Sequence, residues 1–384
     1  MKIVYVIDSL ASKGGAERIL SDKMNYMTSH YGYEVYVITC YQNPQEQSNA
    51  YHLSEQVRQI DLNIPYYSQY RYRYPYRLWV KSRLYSRLVR ELTAAVQRID
   101  PDVLVGLGYF QADVVSGIRC RAAKVVESHE ARLFTMSDQG LSRSFLSRLY
   151  MRFYRQRYFR RVERQTDVVV TLTNGDAKIW SNARRVKVIP NFTMMAVKEK
   201  STCDAKRVIA VGRLEWQKGF DRLLQAWQLV ERQHPDWQLC IFGSGTQEAQ
   251  LKAQIKEAAL QTVTLHPFTP AISDEYVHSS IFALSSRFEG FSLVLLEAMQ
   301  AGLPCVAFDC PFGPSDVVAD GECGYVVEDG DVPAFAARLC QLIADEEQRK
   351  AFGRAAVLQA KKFDVDVVMS QWKALFETLA SKRS

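Results

Sequence analysis

The sequence predicts an α/β chain of two domains, each a doubly wound parallel sheet. Three observations lead there. Short apolar runs alternate with segments of helical period, the pattern of βαβ units and parallel sheets. The pattern begins at the N-terminus and restarts near Arg207. The length of 384 residues suggests two domains, with three as the alternative.

Composition narrows the class. A 47% hydrophobic content allows full cores. No apolar run reaches the ~18 residues that a membrane-spanning helix needs. The start, Met1 to Asp8, reads as a first core strand and lacks a signal-peptide layout. The eight cysteines are scattered with no CxxC pair, and several sit in strand-like runs. Reduced, buried thiols in a cytoplasmic protein are expected rather than disulfides or zinc. The net charge of +7 is concentrated. Residues 66–90 carry seven Lys/Arg and no acid, and residues 141–164 carry eight Arg against Glu163 alone.

The elements follow in order. Residues 3–8 form the first strand. The loop Ser9 to Arg18 contains Gly14-Gly15 and leads into an amphipathic helix through Ile19, Leu20, Met24 and Met27. The glycine pair allows a tight turn or close backbone approach to a ligand. It is not GxGxxG, so the dinucleotide fingerprint is absent. Residues 34–39 are the second strand, and 41–65 a loop with a short strand. Tyr66 to Trp79 interleaves aromatic and basic residues, and a helix follows to Ile99, with Leu84, Leu88, Leu92 and Val96 spaced by four. Such a stretch suits an anionic membrane surface or a polyanionic acceptor, with nucleic acid or a solvated helix face as alternatives.

Strand 102–108 and a helix over 112–118 come next, then strand 124–130. That strand ends in His129 and Glu130, which makes both site candidates. A structural hydrogen-bonding role for His129 is the alternative. The second basic helix spans 141–164. Strands at 167–173 and 186–192 complete the first half, stopped by Pro190. The second half opens with strand 207–213 and the loop Leu214 to Phe220. Arg213 and Lys218 stand five apart at that strand's end, as diphosphate ligands or as exposed loop cations. Strands at 239–243, 263–266, 281–285 and 304–308 follow, then helices at 333–348, 350–362 and 364–379.

Glu289 and Glu297 flank a strand–loop–helix turn. The N–H groups near Ser292 to Leu295 would be open at the helix start, where the dipole favours an anion. Eight residues at ~1.5 Å rise span about 12 Å if mostly helical. That is the reach from a sugar, across a diphosphate, to a ribose. A helix with a solvated Glu at its start is the plainer alternative. Asp364-Val365-Asp366 spells a metal-type DxD string, but it opens the last helix, where Asp caps the backbone. No metal site is expected.

Together these residues resemble glycosyltransferase family 4. The motifs are Gly14-Gly15-Ala16-Glu17-Arg18, Ile189-Pro190-Asn191, Val211-Gly212-Arg213-Leu214 with Gln217-Lys218-Gly219, and Gly243-Ser244-Gly245. Glu289 and Glu297, Ala301-Gly302-Leu303-Pro304, and Gly313-Pro314-Ser315 on to Gly324 complete them. The resemblance implies the GT-B fold: two Rossmann-like domains, 1–192 for the acceptor and 193–363 for the donor, facing a cleft. Helix 364–384 would pack back on the first.

The resemblance also implies roles. Arg213 and Lys218 would bind the donor diphosphate, Glu289 the sugar hydroxyls and Glu297 the ribose. Backbone at Gly290, Phe291, Ser292 and Leu293 would line the phosphates, with Gly15 close by and Phe268 at the base. His129 would lie near the reacting centre, making His129, Arg213, Lys218 and Glu289 the catalytic set. The implied enzyme is a retaining, metal-independent hexosyl- or N-acetylhexosaminyl-transferase without cofactor. Its donor would be a UDP-sugar and its acceptor a lipid-linked or membrane-proximal glycan of surface polysaccharide or glycolipid synthesis. It would sit peripherally on the cytoplasmic membrane face through 66–90 and 141–164, with no nucleic acid partner. The alternatives are an epimerase-like GT-B enzyme and a non-catalytic polyanion-binding module.

Overall fold

The computed structural model describes residues 1–12, 14–42, 48–129, 145–195 and 197–382. The chain divides into two units. The first takes in Met1–Leu172, Asp176–Ile189 and the chain from Met369 on; the second takes in Thr173–Gly175 and Pro190–Val368.

The first unit is a seven-stranded parallel sheet. Its strands are β1 (Lys2–Ile7), β2 (Glu34–Thr39), β3 (Arg58–Asp61), β4 (Val103–Leu107), β5 (Ala123–Ser128), β6 (Val168–Thr171) and β7 (Val186–Val188). Their order is β3-β2-β1-β4-β5-β6-β7. Central strands read as unbroken apolar runs because both faces are covered, and Ile3, Val4, Tyr5 and Val6 are fully buried. The helix Tyr76–Ile99 packs its four-spaced Leu88, Leu92 and Val96 against Val4, Val6 and Leu104. The helix Phe145–Gln165 adds Phe159 and Val162 to a second cluster with Val169 and Trp180. The last helix, Val365–Ser381, meets the helix Gly15–Tyr31: the hydroxyl of Tyr33, just beyond that helix, donates to Glu377 at 3.1 Å.

The second unit repeats the plan with six strands. They are β8 (Arg207–Val211), β9 (Gln238–Phe242), β10 (Val263–His266), β11 (Ile281–Leu284), β12 (Cys305–Asp309) and β13 (Gly324–Glu328), in the parallel order β10-β9-β8-β11-β12-β13. Its core centres on Trp227, Phe308 and Phe335. Sequence reading did not anticipate strand β13, nor the helices Glu248–Glu257 and Ile272–Val277. It placed the break between the two late helices near residue 349. The break lies at Asp345, whose carboxylate caps the helix Glu346–Ala360 by accepting from Gln348 N at 2.9 Å.

Strand order reverses once in each sheet, between β1 and β4 and between β8 and β11. In open α/β sheets the crevice outside the strands' carboxyl ends at such a reversal is where ligands bind. All eight cysteines are free. No helix among the described residues is long and apolar enough to cross a membrane.

Candidate active site

In the second unit the reversal point places the loop after β8 beside the loop after β11. Backbone packs on backbone there, which requires glycine. Gly219 has φ +64°, and a Cβ on it would lie 2.1 Å from the Ser285 carbonyl oxygen. A Cβ on Gly243 would lie 1.8 Å from the carbonyl oxygen of Gly212. Gly212 in turn leaves room for the stem of Lys218.

The two loops are also tied by polar side chains. Arg287 forms a two-pronged ion pair with Asp221 at 2.7 and 2.6 Å and donates to the Trp216 carbonyl at 2.8 Å. The pair with Arg287 holds the Asp221 carboxyl below the usual carboxylate range, against the opposing effect of burial. Arg222 donates to the carbonyls of Ser285 and Ser286, both at 2.9 Å. These bonds hold a rigid floor.

On that floor Lys218 Nζ lies 2.7 Å from Glu289 Oε1, and Ser286 Oγ donates to the same oxygen at 2.6 Å. The pair is largely buried, with 15% of the lysine and 6% of the glutamate side chain exposed. Sequence reading gave these residues separate roles; the structure joins them. Arg213 is exposed and forms no salt bridge among the described residues. It donates to Gln217 Oε1 at 3.4 Å, and Gln217 donates to the Phe288 carbonyl at 3.1 Å. Its guanidinium is therefore available to an anion.

The helix after this loop is Leu293–Gln300. Ser292 precedes it without capping it, and its buried Oγ has no hydrogen-bond partner. Glu289 to Ser292 is loop, so the separation from Glu289 to Glu297 is only half helical and the mostly helical span is not realised. Glu297 is in the helix's second turn and 3% exposed, with the Tyr276 hydroxyl 3.5 Å from its Oε2. Phe291 packs its ring on Phe363, with ring centres 5.8 Å apart. Phe268 is 72% exposed just beyond β10.

Residues 195–359 match the family described as Glycosyl transferases group 1. The second unit resembles the group 1 glycosyl transferases. Over 167 residues the chain is 40% identical to the amylovoran biosynthesis glycosyltransferase AmsD of Erwinia amylovora, a stretch covering 43% of this chain and 46% of AmsD. Over 380 residues it is 27% identical to an uncharacterized glycosyltransferase of Haemophilus influenzae, covering 97% of this chain and 99% of that one. The crystal structure of TarM superposes with a TM-score of 0.77 at 15% identity, covering 98% of both chains. A mutant of S. aureus TarM is solved with Fondaparinux, alpha-GlcNAc-glycerol and UDP, at TM-score 0.72 and 15% identity over 98% of this chain and 99% of that one. The chain has the GT-B fold. The site built above lies within the matched stretch, which includes Arg213, Lys218, Glu289 and Glu297.

In the first unit Gly15 opens the helix Gly15–Tyr31, next to the Gly14 cap. His129 follows β5 and its Nε2 lies 3.0 Å from Glu127 Oε2. Glu130 lies outside the described residues. Sequence reading missed Lys23, which is buried beside Glu127; an isolated lysine on an amphipathic helix carries no signal. It also missed Asp8 at the end of β1, whose carboxyl burial pushes up to about 6. Its place just past a strand's carboxyl end was the available clue.

The two basic stretches meet in the first unit. A cavity of about 350 Å³ is lined by Tyr66, Lys81 and Tyr85 from one and by Tyr158 and Arg161 from the other. Beside it, Tyr70, Tyr74, Tyr76, Leu78 and Trp79 are exposed. Arg77 stacks on Tyr70 at 4.2 Å and Arg83 on Trp79 at 5.3 Å. Residues 141–144 of the second stretch lie outside the described residues.

Proposed function

We propose that the protein is a retaining glycosyltransferase. It moves a hexose or N-acetylhexosamine from a UDP-sugar to a lipid-linked or membrane-proximal glycan, in the making of a surface polysaccharide or glycolipid. One observation carries the reading: the buried Lys218–Glu289 pair stands at the sheet's reversal point, with Arg213 available and an uncapped helix start alongside. The biosynthetic role named for AmsD and the UDP held by TarM support it.

Arg213 and Lys218 neutralise the charge that grows on the departing diphosphate, the kind of fixed stabilisation that contributes most to such reactions. The open N–H groups at Ser292 and Leu293, with the backbone of Gly290 and Phe291, hold phosphate oxygens. Glu289 accepts from sugar hydroxyls and Glu297 from the ribose, while Phe268 meets the base. The resemblance adds Gly15 and His129 as contacts to the reacting sugar. The acceptor oxygen bonds to the anomeric carbon on the face from which the diphosphate leaves, and the acceptor proton passes to a diphosphate oxygen. No metal is needed for this charge balance.

Full-length protein screened against UDP-, GDP- and ADP-sugars in EDTA is expected to release nucleoside diphosphate from a UDP-sugar alone. Release from a GDP- or ADP-sugar instead would overturn the donor assignment. Product from a UDP-sugar that needs no acceptor and frees no UDP would indicate an epimerase, and binding without turnover a polyanion module.

The aromatic and basic surface of residues 66–90, with 145–164, serves the acceptor side as a peripheral anchor on the cytoplasmic membrane face. Tyr and Trp favour the interface, and each Lys or Arg near anionic lipid adds about 1 kcal/mol. The protein is expected to sediment with anionic phosphatidylglycerol vesicles at low ionic strength and not with neutral ones. About 1 M salt, where the Debye length is about 3 Å, should release it. No sedimentation with anionic vesicles at low salt would end this part of the reading.

A further inference from the structure

The first unit contains a buried Lys23–Glu127 ion pair beside His129, and the proposed transfer gives that pair no task. Lys23 lies inside the helix Gly15–Tyr31 with 1% of its side chain exposed, and Glu127 at the end of β5 has 2% exposed. Lys23 Nζ lies 2.5 Å from Glu127 Oε2, and the same oxygen is 3.0 Å from His129 Nε2. The ammonium is 4.1 Å from the ring centre of Trp372 on the last helix and 5.2 Å from that of Tyr5. Glu127 Oε1 is buried without a hydrogen-bond partner. Ion pairs this deep rarely stabilise a fold more than an apolar pair of the same shape would. Packing alone therefore does not account for a lysine here.

We propose that Lys23 is a positioning residue: it keeps Glu127 ionised, and Glu127 then fixes the tautomer of His129. This rests on the reading of His129 as a partner of the reacting sugar. An ionised carboxylate only accepts hydrogen bonds, so His129 must place its proton on Nε2 to donate to it. Nδ1 is then the nitrogen left to accept from a sugar hydroxyl.

The balance on Glu127 depends on Lys23. Burial pushes the Glu127 carboxyl up, and Lys23 with His129 holds it below the usual carboxylate range. Burial in turn pulls the Lys23 ammonium below an ordinary lysine, against the attraction of Glu127. Tyr5 is the other titratable group packed here among the described residues. Its hydroxyl donates to Met27 Sδ at 3.6 Å, and burial and then Glu127 keep it neutral. Ser128 turns to Asp176 instead, donating at 2.7 Å. Without Lys23, burial prevails and the carboxyl takes up a proton near neutral pH, as buried carboxyls do. A protonated carboxyl donates, so the bond to Nε2 reverses and the ring proton moves to Nδ1. A hydroxyl that donated to Nδ1 then loses its partner.

The test uses full-length protein with ring-¹⁵N-labelled histidine, read by NMR between about pH 7 and about pH 9, alongside diphosphate release from the donor. Wild type is expected to keep the Nε2–H tautomer throughout. Lys23→Met should show Nδ1–H at the lower pH and return to Nε2–H as pH rises. Its kcat should fall about tenfold at the lower pH and recover at the higher, with donor KM changed less than about twofold. A wild-type tautomer and pH profile in folded Lys23→Met would overturn the proposal. If that variant does not fold, Glu127→Gln keeps the shape and is read instead. It should give a mixed tautomer and a kcat lowered about tenfold at both pH values; wild-type values of both would overturn the proposal equally. His129→Ala with wild-type kcat would sink the sugar-contact reading alone, because the tautomer reversal in Lys23→Met is seen without substrate.

Discussion

Lys218→Ala is expected to lower kcat about 10²–10³-fold, the usual loss when one fixed charge facing a leaving group is removed. The lysine is held 2.7 Å from Glu289 over a floor made rigid by Arg287, Asp221 and Arg222. A mobile surface cation could be replaced by solvent, but one locked at 15% exposure is not. The same change strands Glu289, which keeps only Ser286 as a partner for that oxygen. Breaking one side of a buried pair costs about 3–5 kcal/mol, so a fall in Tm should accompany the loss of rate. The double variant Lys218→Ala with Glu289→Gln separates the two effects: Tm should recover while turnover does not. Turnover of Lys218→Ala within about tenfold of wild type would remove the lysine from the leaving-group role.

Much of this site was legible in the sequence because its parts are local. Arg213 and Lys218 follow one strand, and Glu289 and Glu297 follow another; a cation or carboxylate just past an apolar run is visible without a structure. The glycines were legible too, although their reasons were not. That Gly219 must pass the Ser285 carbonyl, or Gly243 that of Gly212, depends on which strands are neighbours.

What failed to show was set by pairing across distance. The Lys218–Glu289 contact joins residues 71 apart, and Lys23–Glu127 joins residues 104 apart. Neither partner advertises the other. Strand β13 begins at a glycine and runs for five residues at the sheet's edge, too short to stand out from a loop. The helix Glu248–Glu257 buries only Leu251 completely, so it has little apolar period to read.

Glu297→Ala is the second large effect, and it bears most directly on the claim that the second unit holds the nucleotide end of the donor. Glu297 is nearly closed off from solvent, and charge-assisted bonds to two ribose hydroxyls in such a place are worth about 1.5–3 kcal/mol each. Losing both should weaken UDP binding at least about 100-fold. Damage to the fold would weaken every ligand of the site, so inorganic pyrophosphate serves as the comparison. Isothermal titration of wild type and Glu297→Ala with each ligand gives the answer. The expected result is a UDP affinity reduced at least about 100-fold beside a pyrophosphate affinity changed less than about twofold. UDP bound by Glu297→Ala as tightly as by wild type, or both ligands lost in equal measure, would contradict the placement of the ribose at Glu297.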